Sequence, residues 1–526
     1  MKSAQEFLKK GDLRGAYLSS REALLKNPRS VTACLIAAEV AETESSPAAI
    51  LWRQRIAELQ PGDSGSLIDL AATATRFGES FIAEQALTQV SPSERNTIAF
   101  RLAAASLAIT LKQYATAEEQ FQKALESDPK NEELQLNLAT VRLALARPAQ
   151  MESVRATLNA LRAKPQFHLA ALRTLIGDAR ANGNSARALQ LAGELKQDPQ
   201  ATFGDQLLYL EELQHAGSLE FQADLSKLQT GAKDRPEIAY TVMTWMNAHG
   251  LTAQSIQWCE SLPAKIRAQI PVPLAEAEAR TALADWKQLR ELVREADWGE
   301  LEFLRLAIHA RVLYETDGQR RRSEFRTMWE KATSATRGNP NALMMLGRLV
   351  NGWGWKQEAT EAWWLAAKSD TGQRAALKAL FTAFSAEKNT HELYRVAKRV
   401  LEVEPGNPIA KNNVASLALL LGEDEAEAHR LAAETYKLWP KQPVIASTYA
   451  LSLHRQKRTK EAVEIMKHLP PAALADPALA ACHGFLLAEN GEHQKARPFL
   501  EAAERQKQQL LPEEAAMVAS ALRRSP

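Results

Sequence analysis

Small and apolar residues along the chain follow a helical spacing that restarts about every 34 residues. Each copy has a small residue, an apolar residue three positions on, a small residue nine positions further, and then a large apolar residue and an alanine. Three clear copies are Ala105, Ala108, Ala117, Phe121 and Ala124; Gly347, Val350, Ala359, Trp363 and Ala366; and Gly484, Leu487, Ala496, Leu500 and Ala503. The period predicts stacked helix pairs, because each pair can bury its apolar face only against its neighbours.

Prolines and polar clusters mark where these helices begin and end. Pro340, Pro408, Pro443 and Pro477 predict the starts of first helices, because proline is tolerated in the first helical turn. Gly-containing polar clusters such as 422–424 and 490–492 predict the turns inside the pairs. The pattern predicts an all-α solenoid of about fifteen antiparallel helix pairs, followed by a C-terminal capping helix that begins at Pro512.

These residues resemble the tetratricopeptide repeat (TPR) family, in its bacterial-type multi-repeat arrays. The resemblance is strongest over 98–131 and 340–511, and it implies a right-handed superhelix. One continuous solenoid is expected, in four parts: N-terminal TPR-like repeats at 1–199, degenerate helical repeats at 200–339, regular TPR repeats at 340–511, and the capping helix with a C-terminal tail at 512–526.

Composition and motifs narrow the classes of function. The 526 residues include 65 basic and 63 acidic side chains, and this balance argues against a dedicated nucleic-acid binder. The three cysteines form no CxxC pair and the histidines show no metal-ligand spacing, so we expect no metal and no cofactor. The sequence contains no catalytic motif, and we therefore expect no enzyme.

The resemblance also indicates where a partner binds. In TPR proteins the first helix of each pair lines the concave face, which holds peptide segments or partner helices. Asn413, followed by Val414 and Ala415, matches a first-helix asparagine that in peptide-binding members bonds the ligand backbone. The partner-binding candidates are Asn137, Asn341, Arg348, Asn351, Lys378, Asn412, Asn413, His454 and Arg455. Because this set is polar and mildly basic, we expect it to favour an acidic segment.

A group of tryptophans forms a second candidate surface. Trp353 and Trp355 flank a glycine in a predicted inter-helix turn, and Trp364 points about 100° away from the core position Trp363. These side chains either pack under the turn and against the next pair or form an aromatic edge patch that binds a partner, since Trp is enriched at interface hot spots.

The resemblance therefore implies a non-catalytic scaffold that binds a protein or peptide partner and no nucleic acid. Two alternatives remain open: a cell-envelope assembly, secretion or polysaccharide-machine adaptor whose N-terminal anchor lies outside this sequence, and an RNA-binding helical repeat protein. No stretch is long and apolar enough for membrane insertion by this chain itself. A cytoplasmic location is the default expectation, and a cell-envelope location follows if an upstream anchor exists.

Overall fold

The computed structural model describes residues 2–294, 296–317 and 322–524. Every regular element in these ranges is helical, and the helices follow one another in packed consecutive pairs, as an all-α solenoid requires. The predicted fold class is therefore confirmed. The chain divides into two compact units, Met1–Gly231 and Ala232–Pro526.

The first unit is built from seven pairs of helices in its described residues. Their bounds are α1 Lys2–Lys9, α2 Leu13–Lys26, α3 Val31–Thr43, α4 Ala48–Leu59, α5 Ser64–Arg76, α6 Ser80–Gln89, α7 Ile98–Thr110, α8 Tyr114–Ser127, α9 Glu132–Leu145, α10 Pro148–Arg162, α11 His168–Ala181, α12 Ser185–Gln197, α13 Phe203–His215 and α14 Phe221–Ala232.

The second unit continues the pattern and ends with a single helix. The bounds are α15 Pro236–Ala248, α16 Thr252–Ser261, α17 Ala264–Arg267, α18 Val272–Ala282, α19 Trp286–Arg294, α20 Glu302–Asp317, α21 Arg322–Ala335, α22 Pro340–Gly352, α23 Lys356–Ala366, α24 Gln373–Glu387, α25 Thr390–Val403, α26 Pro408–Leu421, α27 Glu425–Leu438, α28 Pro443–Arg455, α29 Thr459–Lys467, α30 Pro477–Glu489, α31 His493–Arg505 and α32 Pro512–Arg524.

The repeat positions read from the sequence form the core of each pair. Ala117, Ala359 and Ala496 are fully buried, and Phe121 and Trp363 are nearly so. Small residues at these positions let the two helices of a pair approach closely, and the large residues fill the space towards the next pair. The predicted helix register is therefore confirmed in the pairs α7/α8, α22/α23 and α30/α31.

Helix starts follow the predicted prolines. The helices α22, α26, α28 and α30 begin at Pro340, Pro408, Pro443 and Pro477, respectively. The residue before the proline often caps the helix: the Asn407 side chain accepts hydrogen bonds from the first backbone N–H groups of α26. An N-cap residue of this kind satisfies backbone donors that have no partner inside the helix.

First helices of successive pairs form one layer. In the second unit α20 contacts α22, α22 contacts α24, α26 contacts α28, and α28 contacts α30. We call the exposed side of α22, α24, α26, α28 and α30 the first-helix face. This layer is the counterpart of the face on which the sequence places a ligand.

Ion pairs tie successive first helices together in the first unit. Arg173 of α11 donates two hydrogen bonds of 2.8 Å to the carboxylate of Asp205 on α13. Two turns further along the same two helices, Arg180 donates to the buried Glu212, at 2.8 Å from its Nε. Because both acids are buried, these charges belong to the packing between pairs.

A buried ionic cluster holds the pairs α15/α16 and α18/α19. Glu276 is completely buried and accepts hydrogen bonds from Arg267 at 2.6 and 3.0 Å and from Arg280 at 2.8 and 2.9 Å. The Cys259 thiol donates to the same carboxylate at 3.3 Å. Burial raises the pKa of Glu276, but the hydrogen bonds from the two arginines outweigh burial and hold the pKa below its usual 4.5.

The last helix, α32, packs on more than the final pair. It contacts α30 and α31, as a capping helix does, and it also contacts α26. Val518 and Ala521 are fully buried in the apolar cluster of the last pairs. The sequence predicts a helix that only covers the end of the stack, whereas this helix also lies against the layer of first helices.

Candidate partner-binding surface

Two first helices present the predicted binding residues to solvent. Asn341, Arg348 and Asn351 are exposed on α22, and Lys378 is exposed on α24. The other side of α22 is buried, through residues such as Leu346. The α22 side chains are seven and three positions apart, so they lie along one side of the helix, with the exposed Met345 between Asn341 and Arg348.

On α26 the two predicted asparagines differ in accessibility. Asn412 is only 3% exposed, and among the described residues its Oδ1 atom has no hydrogen-bond partner. Asn413 is half-buried. Of the pair, only Asn413 presents surface that a ligand can touch.

The candidates on α28 are held by contacts inside the array. His454 packs its ring against Phe485 with a centroid distance of 5.2 Å, and burial lowers its pKa, which favours the neutral ring. Arg455 Nη2 donates a hydrogen bond of 2.8 Å to the carbonyl of Leu419, and its Nη1 lies 3.8 Å from Glu425. Arg455 therefore links α28 to the preceding pair.

Asn137 lies on α9, in the first unit, whereas the other candidates lie in the second unit. Its side chain is half-buried, and the following Leu138 and Ala139 are buried. The candidates on α22 and α24 therefore lie on contacting helices, and so do those on α26 and α28, whereas Asn137 belongs to the first unit.

Two residues of the predicted edge patch, Trp353 and Trp355, belong to a cluster of aromatic rings that does not include Trp364. The ring centroids of Trp353 and Trp355 are 5.2 Å apart, and Trp355 meets Tyr314 at 5.3 Å and Phe325 at 5.1 Å. We call these four residues the edge cluster. Trp353 and Trp355 are half-buried, whereas Tyr314 is 53% exposed. The cluster combines both interpretations left open by the sequence, because it packs on the core and also presents aromatic surface.

Two arginines cover tryptophan rings near this edge. The Arg311 guanidinium carbon lies 4.7 Å from the ring centroid of Trp353 and 5.7 Å from that of Trp286. Arg395 lies 4.3 Å from the ring centroid of Trp364. Contacts of this kind are attractive because the ring face carries negative charge density. Trp364 thus packs against the following pair, in the direction that its register indicates.

Sequence reasoning missed the contacts between distant parts of the second unit. Lys388 Nζ donates to the carbonyl oxygen of Gln508, and Thr390 Oγ1 donates to Glu513 Oε2 at 2.5 Å. These residues lie more than 100 positions apart, and no local pattern marks them. The proline and acidic pair that open α32 identify a helix start, but they do not indicate what the helix contacts.

No helix in the described ranges is long and apolar enough to cross a membrane. No group of three or more His, Cys, Asp or Glu side chains is placed to hold a metal ion in those ranges either.

The sequence matches no known family model and no curated protein sequence. Among solved structures, a chain in the crystal structure of the APC/C hetero-tetramer Cut9–Hcn1 is similar at 12% identity, with a TM-score of 0.31, over 86% of this chain and 95% of that one. A chain in the structure of Naa15/Naa10 bound to HypK-THB is similar at 15% identity, with a TM-score of 0.26, over 100% of this chain and 79% of that one.

Proposed function

We propose that the protein is a non-catalytic protein–protein interaction scaffold, and that the first-helix face of residues 340–511 binds a peptide segment or helix of a protein partner. The observation that carries this proposal is the exposed stripe of Asn341, Arg348 and Asn351 on α22, continued by Lys378 on the neighbouring α24. Such side chains donate and accept hydrogen bonds without contributing to the buried side of their helices.

The charge of this stripe favours an acidic partner segment. Arg348 and Lys378 are exposed basic side chains on successive first helices that contact one another. Their fields add, and they would draw an anionic segment to the face. Asn413, half-buried on α26, would bond the backbone of such a segment.

The buried ionic cluster around Glu276 supports a structural role rather than catalysis. Glu276 is fully buried and is surrounded by two arginines and a cysteine thiol, so its carboxylate has no open side for a substrate. In the first unit, Arg173 and Arg180 are paired with buried acids. This pairing reduces the positive charge that an RNA backbone would require, and it favours a protein partner.

The test begins with affinity purification of the full chain and mass spectrometry to identify a partner. The acidic segment of that partner is then titrated into the purified chain by isothermal calorimetry, next to the same segment with its Asp and Glu residues changed to Asn and Gln. We expect saturable binding that weakens when the acids are neutralised. Binding of both segments with equal affinity would contradict the proposal, and the edge cluster would then become the better candidate.

A further inference from the structure

Helix α32 occupies part of the surface on which the proposed function places a partner. It follows the last pair in sequence. Gln508, just before the helix, and Glu513, in its first turn, nevertheless contact the connection between α24 and α25, three pairs earlier. It also contacts α26, a first helix of the proposed binding layer. A helix that only covered the end of the stack would need none of these contacts.

The apolar contacts of α32 divide into two sets. Val518 and Ala521 are fully buried in the cluster of the last pairs. Leu511 and Met517 are half-buried and pack against the cluster that runs through the preceding pairs as far as Leu451. The second set resembles a peptide helix seated on a receptor, because it joins α32 to a cluster whose buried members all precede the last pair.

Polar contacts fix both ends of the helix. At its start, Thr390 donates to Glu513, and Lys388 donates to the carbonyl oxygen of Gln508. Near its end, Arg524 pairs with Glu489 of α30 at 2.5 Å. The receptor thus supplies donors to the acidic end of α32 and an acceptor to its basic end.

One feature of the docked helix opposes docking. Glu514 lies in the first turn beside Glu513 and Asp476, where burial and the two neighbouring acids raise the pKa of its carboxyl group. Its Oε2 accepts a hydrogen bond of 2.8 Å from the backbone N–H of Leu511, within the same segment. An ionised carboxylate held in such a place costs free energy, which makes the docked state of the helix less stable relative to the released state.

We propose that α32 is an exchangeable occupant of the first-helix face, and that the protein partner binds there as an amphipathic helix with consecutive carboxylates in its first turn. This proposal rests on the proposed function and adds the form of the ligand and a competitor within the chain. Lys388 and Thr390 would bond the acidic turn of the partner, as they bond the segment around Glu513. The apolar cluster against which Leu511 and Met517 pack would contact the apolar side chains of the partner helix.

Competition within the chain has a measurable consequence. A ligand binds only to the fraction of molecules in which α32 has left the face, so its apparent affinity is reduced by that fraction. Substitutions that weaken the docking of α32 within the chain should therefore strengthen the binding of a free peptide with the same sequence.

The probe is a fluorescein-labelled peptide with the sequence of residues 507–524, titrated into the full chain and followed by fluorescence anisotropy. The open variant combines Leu511→Ser, Glu513→Gln and Met517→Ser, which leave the buried Val518 and Ala521 in place. We expect the open variant to bind the peptide at least about tenfold more tightly than the wild type. The variant Ala516→Ser changes an exposed position of the same helix and should behave as the wild type.

A further substitution tests whether the peptide binds at Thr390, where α32 docks in the wild type. Adding Thr390→Val to the open variant removes the hydroxyl donor while keeping the side-chain shape, and we expect it to weaken peptide binding again. No binding to the open variant, or equal binding to the wild type and the open variant, would overturn the proposal. Because the probe is the chain's own sequence, such a result would leave the proposed function to its own test with the natural partner.

Hydrogen exchange keeps the proposal testable if the open variant loses helical content by circular dichroism. The double variant Lys388→Ala/Thr390→Val changes only the receptor side. Mass spectrometry should then show exchange of residues 512–524 that is about tenfold faster, with the exchange of 340–366 unchanged. Unchanged exchange of 512–524 would overturn the proposal.

Discussion

The indole ring of Trp363 occupies the space that a side chain at Gly347 would need. An ideal Cβ atom built on Gly347 would lie 2.3 Å from Trp363 Nε1, a separation that real Cβ atoms do not reach. The same relationship recurs in the last pair, where a Cβ atom on Gly484 would lie 2.8 Å from Leu500 Cγ. The close approach of the two helices in each pair therefore depends on the absence of a side chain at one position and a large side chain at the other.

The variant Gly347→Ala should lower the free energy of unfolding by about 1–3 kcal/mol, because the added methyl group overpacks the pair α22/α23. Gly352→Ala is the matched control: it lies at the end of the same helix, where a Cβ atom would meet open space. The control should be neutral or stabilising by about 0.5–1 kcal/mol, since alanine is the better helix former. Urea unfolding measures both, and equal effects of the two substitutions would contradict the packing argument.

A larger substitution tests the register in two distant pairs. Ala117→Trp and Ala496→Trp should each destabilise their pair by about 1–3 kcal/mol or more, because both alanines are fully buried where two helices meet. Ala115→Trp, an exposed position two residues from Ala117, should have little effect. Thermal unfolding followed by circular dichroism separates these outcomes; unchanged unfolding of both buried variants would show the register to be wrong.

The sequence predicted the parts of this fold that depend on local spacing. The helix starts at Pro408 and Pro443 and the core position of Trp363 follow from the chemistry of proline and from helical periodicity, and the structure has each of them where the pattern placed it. A repeat array is favourable for such reasoning, because each pair contacts mainly its sequence neighbours.

Contacts between different pairs could not be predicted from local spacing. The hydrogen bond from Arg455 to the Leu419 carbonyl and the burial of Asn412 depend on how neighbouring pairs rotate against each other. The docking of Glu513 against Thr390 depends on the accumulated rotation over several pairs. Small rotations per repeat are set by side-chain packing, which a repeat motif does not encode.

The buried ionic cluster of α18 gives a third prediction. Glu276→Ala should destabilise the surrounding pairs by about 3–5 kcal/mol, because it leaves the almost fully buried Arg280 without its main partner. The control Glu501→Ala removes an exposed acid paired with Arg497, and it should cost about 0–1 kcal/mol. Hydrogen exchange of residues 264–294 reports the local effect. Equal protection of this segment in both variants would contradict a structural role for the cluster.

The lowered pKa of Asp205 predicts that the free energy of unfolding of the first unit falls at acid pH. The hydrogen bond from Arg173 lowers its pKa to about 2, against a usual value of 3.8, although burial opposes the shift. Because the folded state favours the carboxylate, its stabilising contribution is present above pH 3.8 and is lost as the pH falls towards 2. Asp205→Asn should therefore flatten the dependence of urea unfolding on pH in this range, whereas Glu126→Gln, at an exposed position, should keep the wild-type profile. An unchanged profile in Asp205→Asn would contradict this assignment.

Unfolding of the chain should proceed in more than one step, with residues 200–339 exchanging amide hydrogens fastest. The repeats there are the most degenerate, and α16, α17 and α19 have only 10, 4 and 9 residues. In a stack of pairs, units with weaker interfaces open before stronger ones. Hydrogen exchange with mass spectrometry along the whole chain is the measurement, and uniform protection would count against the prediction.

The last prediction concerns the charge of the first-helix face. The double reversal Arg348→Glu/Lys378→Glu should weaken binding of an acidic partner segment by about tenfold or more, about 1.4 kcal/mol, because both side chains are exposed on contacting first helices. Helical content should not change, since neither side chain is buried. Arg455 is left intact, because reversing its charge would also break the hydrogen bond to Leu419 and confuse binding with stability.

A matched reversal separates the local field of that face from the total charge. Arg399→Glu/Arg430→Glu makes the same change in net charge on the second helices α25 and α27, where Arg399 is half-buried and Arg430 is exposed. It should leave binding of the acidic segment nearly unchanged at physiological salt, because charges beyond about 8 Å are screened there. Raising the ionic strength to about 1 M shortens this distance to about 3 Å and should weaken wild-type binding as well. If the two reversals weaken binding equally, total charge governs the affinity and the face does not. If neither weakens it, the partner binds elsewhere, and the exposed Tyr314 and the half-buried Trp355 are the next positions to substitute.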